Sequence, residues 1–167
     1  FFILATHFSG LGEILIKLNG NGTTAWQRRI THSTSGTRFV FRDLQVTPDR
    51  GCIVTGYQEG NTSNPVLFKF TAAGAITFGR SYDFFSSMYS GGFGATVTPN
   101  AYVVTGSESG GANLTFSANT AGTVNWAYKY SSAGIADMQG NGIIDDAAGN
   151  LVFMGNNLLS TVPAILV

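Results

Sequence analysis

Two short phrases return along this chain at intervals of about fifty residues, and that period constrains the fold more than any single residue does. The first runs from Lys17 to Trp26 (Lys17-Leu18-Asn19-Gly20-Asn21-Gly22-Thr23-Thr24-Ala25-Trp26), is echoed from Lys69 to Phe78, and returns from Ser117 to Trp126. Its turn glycines, Gly22, Gly74 and Gly122, stand 52 and then 48 residues apart. The second phrase, Cys52-Ile53-Val54-Thr55-Gly56, recurs as Tyr102-Val103-Val104-Thr105-Gly106 and as Val152-Phe153-Met154-Gly155, with glycines 50 and then 49 residues apart. A unit of this length cannot bury its apolar surface alone, so it must stack on its neighbours. Units that read as strands predict propeller blades or a related array.

Each unit divides at its Gly, Pro, Asn and Asp residues into four short runs rich in β-branched and aromatic side chains. In the second these are Asp43–Thr47, Cys52–Tyr57, Val66–Phe70 and Ala75–Tyr82. The reversals between runs have local causes. Pro48-Asp49-Arg50-Gly51, Pro99-Asn100 and Asp146 through Asn150 fall at one place in the repeat, where Pro fixes φ and Gly or Asn accepts positive φ. Asp146 is placed at the position of Asp49 and Asn100, as an Asx side chain that caps the reversal. No stretch carries a helical period with caps, so the chain is expected to be all-β, with four-stranded antiparallel blades. The repeats run approximately 1–50, 51–100, 101–150 and 151–167 within a single domain, about three and a third blades. Propellers close with about four to eight blades, so this stretch is expected to be part of a larger propeller or to be completed by assembly.

Composition agrees with stacked sheets. Apolar residues make up 44% of the chain and charged residues only 11%, as expected if both faces of a strand are covered by neighbouring sheets. Trp26, Phe78 and Trp126 share one repeat position and read as inter-blade packing, with an aromatic binding ring as the alternative. The formal net charge is zero, which excludes a global attraction to nucleic acid or to anionic membranes. No run reaches the length of a membrane span. Cys52 is the only cysteine; it lies in an apolar strand phrase and reads as a buried, inert thiol.

The apolar strand ending in Lys, the Gly turn and the following Trp-Gln-Arg, as in Ile14 through Lys17 and Trp26-Gln27-Arg28, resemble the propeller-type repeats of phage tail and fibre proteins and of bacterial surface proteins. The Asp146–Gly155 segment is similar to the turn and following strand of that family. The third repeat departs from the pattern, with Ser117 in place of Lys and Tyr128-Lys129 after Trp126. The resemblance covers nearly the whole chain and carries no catalytic residues with it.

Catalytic signals are sparse. His7 and His32 stand at no metal-ligand spacing from an Asp or Cys, and no Ser sits in a supported Gly-x-Ser-x-Gly elbow. Asp137, Gln139 and Asn141, with Asp145 and Asp146, lack the spacing and closing Glu of a calcium loop. The chain is therefore read as no enzyme, with no cofactor and no metal. Function is sought in the loops, which vary between copies. Phe84, Phe85, Met88, Tyr89 and Phe93 gather in the connection of residues 83–93 as a candidate patch for a partner protein or a sugar ring, with a loop folded under its neighbour as the alternative. Arg28, Arg29 and Arg38, with Arg42 and His32, form a local basic cluster in the first repeat, read as a surface or partner contact.

The resulting expectation is a non-enzymatic structural or adhesive module, a phage virion component of the tail, fibre or surface, in contact with other protein chains of a larger assembly and with host-surface glycan. The alternative is a secreted or surface-anchored bacterial binding module that recognises glycan or protein. Either places it on a virion or at an extracellular surface.

Overall fold

A computed structural model describes residues 1–6, 12–85, 90–109, 111–131, 138–146, 148–157 and 164–166. Every regular element among them is a β-strand: β1 (Phe2–Thr6), β2 (Glu13–Leu18), β3 (Thr24–Ile30), β4 (Arg38–Val46), β5 (Cys52–Glu59), β6 (Asn64–Phe70), β7 (Ile76–Ser81), β8 (Ser90–Val97), β9 (Ala101–Glu108), β10 (Ala112–Asn119), β11 (Val124–Tyr130), β12 (Met138–Asp145), β13 (Leu151–Asn157) and β14 (Ala164–Leu166). They form four antiparallel meanders in chain order. β4 to β7 and β8 to β11 are four-stranded, and β1 to β3 and β12 to β14 are three-stranded.

The first repeated phrase is a hairpin with a local explanation. In the β2–β3, β6–β7 and β10–β11 connections, the amide of Gly22, Gly74 or Gly122 donates to the carbonyl three residues earlier, on Asn19, Thr71 or Asn119. Each glycine has positive φ, +83°, +80° and +79°. The pairing register then slips at Lys17/Leu18, Lys69/Phe70 and Ser117/Ala118. A type I turn followed by a left-handed glycine and a bulge is a common way to close a three-residue hairpin loop, and only glycine enters that conformation without strain.

The second phrase ends in a glycine for a different reason. Gly56, Gly106 and Gly155 face a second bulge, in the first strand of their own three sheets, at Phe41/Asp43, Gly92/Gly94 and Gly140/Gly142. There the partner strand bends toward the glycine, and a Cβ would strike the carbonyl oxygen of Val40, Gly91 or Gln139. The extra bulge residues are Arg42, Phe93 and Asn141.

Packing explains the continuous burial of the central strands. Along β5, Cys52 and Val54 join one apolar cluster with Leu15 and Phe70, whereas Ile53 joins another with Leu67, Tyr102 and Phe116. Successive side chains point to opposite faces, so the β4–β7 sheet is covered on both sides by its neighbours. Burial pushes the Cys52 thiol up to about 12, as an inert buried cysteine requires.

The sheets meet through contacts that recur at fixed repeat positions. The Trp26 indole lies on the Gly74 turn, where a Cβ would come within 2.9 Å of the ring, and its Nε1–H donates to the Ala72 carbonyl at 3.0 Å. One sheet further, Phe78 covers Gly122, where a Cβ would come within 2.8 Å of the ring. Trp26 and Phe78 therefore pack between sheets rather than ring a ligand. Thr55 lies under Gly92, and Thr105 under Gly140. Asp43 reaches across as well, its Oδ2 accepting from the Ala95 amide at 2.8 Å.

The pairing register moves two details of the sequence reading. Thr47 N donates to Gly51 O, and Asp146 N to Asn150 O, so Asp146 matches Thr47 and lies two positions before the Asp49 equivalent. It still caps the reversal, its Oδ1 accepting from the amides of Ala148 and Asn150, both at 2.9 Å. The first strand of the β4–β7 sheet begins at Arg38 rather than Asp43, because the bulge breaks the alternation on which a strand reading depends.

Candidate functional site

The sites suggested by sequence are dispersed in the fold. Phe84 packs at 4.9 Å from Phe116 and stacks at 5.6 Å on Tyr82, against the core. Phe85 is exposed, with φ +60°. Met88 and Tyr89 lie outside the described residues, as do His7 and Asp137. Phe93 is not in a connection: β8 already begins at Ser90, and Phe93 is its bulge residue. The run Ser90-Gly91-Gly92-Phe93-Gly94 reads as a loop, but its glycines are what allow the strand to lie against Thr55 and Gly106.

The basic residues go to separate tasks. Arg28 rests over Trp26 and donates through Nε to the Gly74 carbonyl at 3.2 Å, reinforcing the contact between sheets. Arg29 is an exposed residue of β3 opposite Ile14. Arg38 pairs with Glu59 through Nε at 2.5 Å, and that carboxylate raises the guanidinium above its ordinary range. His32 Nδ1 accepts from the Thr34 amide, and its ring meets Phe39 edge-on at 5.1 Å.

Arg42 is different, because it is brought to Phe93. As bulge residues of neighbouring first strands, both are left unpaired in their own ladders. The Arg42 guanidinium carbon stands 5.5 Å from the Tyr57 ring centroid and 6.0 Å from that of Phe93, and Nη2 donates to Tyr57 Oη at 3.2 Å. The two rings meet edge to face at 6.3 Å. They open onto a cavity of about 170 Å³, which is also lined by Ser63, Ser90, Gly91 and Ser107. The seam is fixed by the Ser90 amide, which donates across the sheets to the Ser63 carbonyl at 2.7 Å. Gly91 keeps the cavity open, since a Cβ there would already lie 3.3 Å from Tyr57 and 3.5 Å from Phe93. Two aromatic side chains and three serines in the lining, with Arg42 beside the two rings, make a place for a small ligand with an apolar face and a polar edge.

A second cavity, of about 310 Å³, lies at the other end of β5, among Thr47, Asp49, Lys69, Thr98 and Tyr102. Its charges serve the fold. Lys69, 5% exposed, donates to Thr47 Oγ1, to both oxygens of Asp49 and to the Phe70 carbonyl. Its hydrogen bond, aided by that of Thr47, lowers the Asp49 carboxyl to about 2. Among the described residues no three His, Cys, Asp or Glu side chains gather in a set that could hold a metal ion. No described helix is long and apolar enough to cross a membrane.

Phe93 alone of the cavity residues was legible as a candidate site residue. Arg42 was visible only as one member of a basic cluster, and Tyr57 only as the end of a strand. The available signal was the shared repeat position of Arg42 and Phe93, which becomes informative once the bulge is known. No protein-family model matches the chain, and no curated protein does. The likeness to propeller-type repeats therefore rests on the residues that carry it.

Proposed function

We propose that the sheets are blades of a β-propeller and that the chain is a non-enzymatic structural or adhesive platform, a virion component of a phage tail, fibre or surface that contacts other protein chains or a host surface. One observation carries this reading: the step from sheet to sheet recurs, with Trp26 on the Gly74 turn and Phe78 on the Gly122 turn. A constant rotation between blades brings equivalent residues together in this way. Five of the nine carboxylates support a non-catalytic role, since Asp43 holds the neighbouring sheet, Asp49 the Lys69 ammonium, Asp146 a turn, and Glu59 and Glu108 pair with Arg38 and Lys129. The virion assignment draws on the Lys, Gly-turn and Trp-Gln-Arg resemblance.

A secreted or surface-anchored bacterial module is the second reading, and the Tyr57–Phe93 cavity favours it because such a module needs a recognition site. Cryo-electron microscopy of the purified chain, with light scattering for its mass, tests the architecture. Sheets arranged radially about an axis are expected; a straight stack of parallel sheets overturns the propeller. Fluorescently labelled chain added to intact bacterial cells tests adhesion. Saturable retention is expected, and retention no greater than that of an inert protein of equal size overturns the adhesive role.

A further inference from the structure

We propose that the cavity between the β4–β7 and β8–β11 sheets binds a single sugar ring that bears a carboxylate, of the uronic or sialic acid class. The inference rests on the platform reading and adds a ligand class to it. The volume, about 170 Å³, lies below the roughly 300–1,000 Å³ of pockets for drug-sized ligands, and so suits one ring rather than an oligomer. Tyr57 and Phe93 offer aromatic surface for the C–H face of such a ring, and Ser63 and Ser107 line the cavity toward its polar edge, while the Ser90 hydroxyl already donates to the Ser63 carbonyl at 3.3 Å.

Arg42 selects the charge. Its guanidinium is held beside both rings and donates one N–H to Tyr57 Oη. Among the described residues no carboxylate is paired with it. The adjacent Asp43 is turned to other work: its oxygens accept from the amides of Leu44 and Ala95 and from Gln45 Nε2. A guanidinium with no carboxylate partner among the described residues is suited to two parallel hydrogen bonds with a carboxylate, and the neighbouring aromatic rings do not neutralise it. A neutral sugar would use the rings and hydroxyls but leave this donor unmatched.

The test titrates ¹⁵N-labelled chain with sodium glucuronate, N-acetylneuraminate, glucose and acetate, following the amide resonances. Saturable shifts at Ser90, Gly91 and Phe93 are expected with one of the two sugar acids, and the one that saturates identifies the source. Glucose and acetate should bind at least about tenfold more weakly, the factor that one charge-assisted hydrogen bond supplies. Arg42→Gln should remove that preference and leave the weak glucose response, whereas Phe93→Ala should weaken both. A response to glucose equal to that of the better-bound acid, no saturable shift with either acid, or an Arg42→Gln chain that keeps its preference overturns the inference. Each variant is first compared with the parent by circular dichroism and small-angle scattering. Loss of binding at unchanged shape bears on the ligand alone, whereas a non-radial arrangement of sheets would remove the platform itself.

Discussion

Replacing Gly74 by alanine should destabilise the chain far more than the same change at Gly22, although the two occupy one turn in one repeat phrase. Both have φ near +80°, and an alanine forced into that region loses about 1–2 kcal/mol, partly offset by the lower entropy of the unfolded chain. At Gly22 nothing lies within 4 Å of where a Cβ would stand, whereas at Gly74 the Trp26 ring is 2.9 Å away. Forcing an extra methyl into a packed contact costs about 1–3 kcal/mol. Gly22→Ala should therefore lose about 1 kcal/mol and Gly74→Ala about 2–4 kcal/mol. Urea unfolding reads the difference: with a slope of about 2 kcal/mol/M, the two midpoints should differ by roughly 0.5–1.5 M. In a Trp26→Ala background the excess at Gly74 should vanish, since the ring is its cause. Equal midpoints for the two alanine variants would refute the inter-sheet contact.

Other expected outcomes follow from single contacts. Gly106→Ala should lose more than about 3 kcal/mol in the same assay, because its Cβ would strike the Gly91 carbonyl across the bulge; Gly20→Ala, in open space, serves as the control and should change little. The Asp49 carboxyl is lowered to about 2, so its contribution is full above the unfolded value near 3.9 and is lost as pH falls toward 2. Stability of the parent should fall more between pH 4 and about 2 than that of Asp49→Asn, and parallel pH profiles would contradict the pairing. Cys52, buried and raised to about 12, should react with Ellman's reagent at pH 8 only as fast as the chain opens; immediate reaction in the folded state would refute its burial.

The repeat exposed much of the fold in advance because its causes are local. Gly74 and Gly122 mark hairpins whose geometry demands positive φ, and the continuous apolar runs at Cys52–Val54 and Tyr102–Val104 mark strands covered on both faces. Trp26 and Phe78 were readable as packing residues from their shared position. The bulges were not, since an extra residue leaves no compositional mark. The strand start at Arg38 and the strand identity of Ser90 through Gly94 went unseen with them. The cavity was illegible for the same reason: Arg42, Tyr57 and Phe93 lie far apart in sequence, and two bulges in neighbouring sheets bring them together.

The central claim is that one step relates each sheet to the next, and proton NMR tests it most directly. A constant step requires ring-current-shifted Hα resonances at Gly74 and Gly122, with nuclear Overhauser contacts to the Trp26 and Phe78 rings respectively, and unshifted Hα resonances at Gly22. Unshifted resonances at Gly74 and Gly122, or contacts from those rings to other turns, would contradict it.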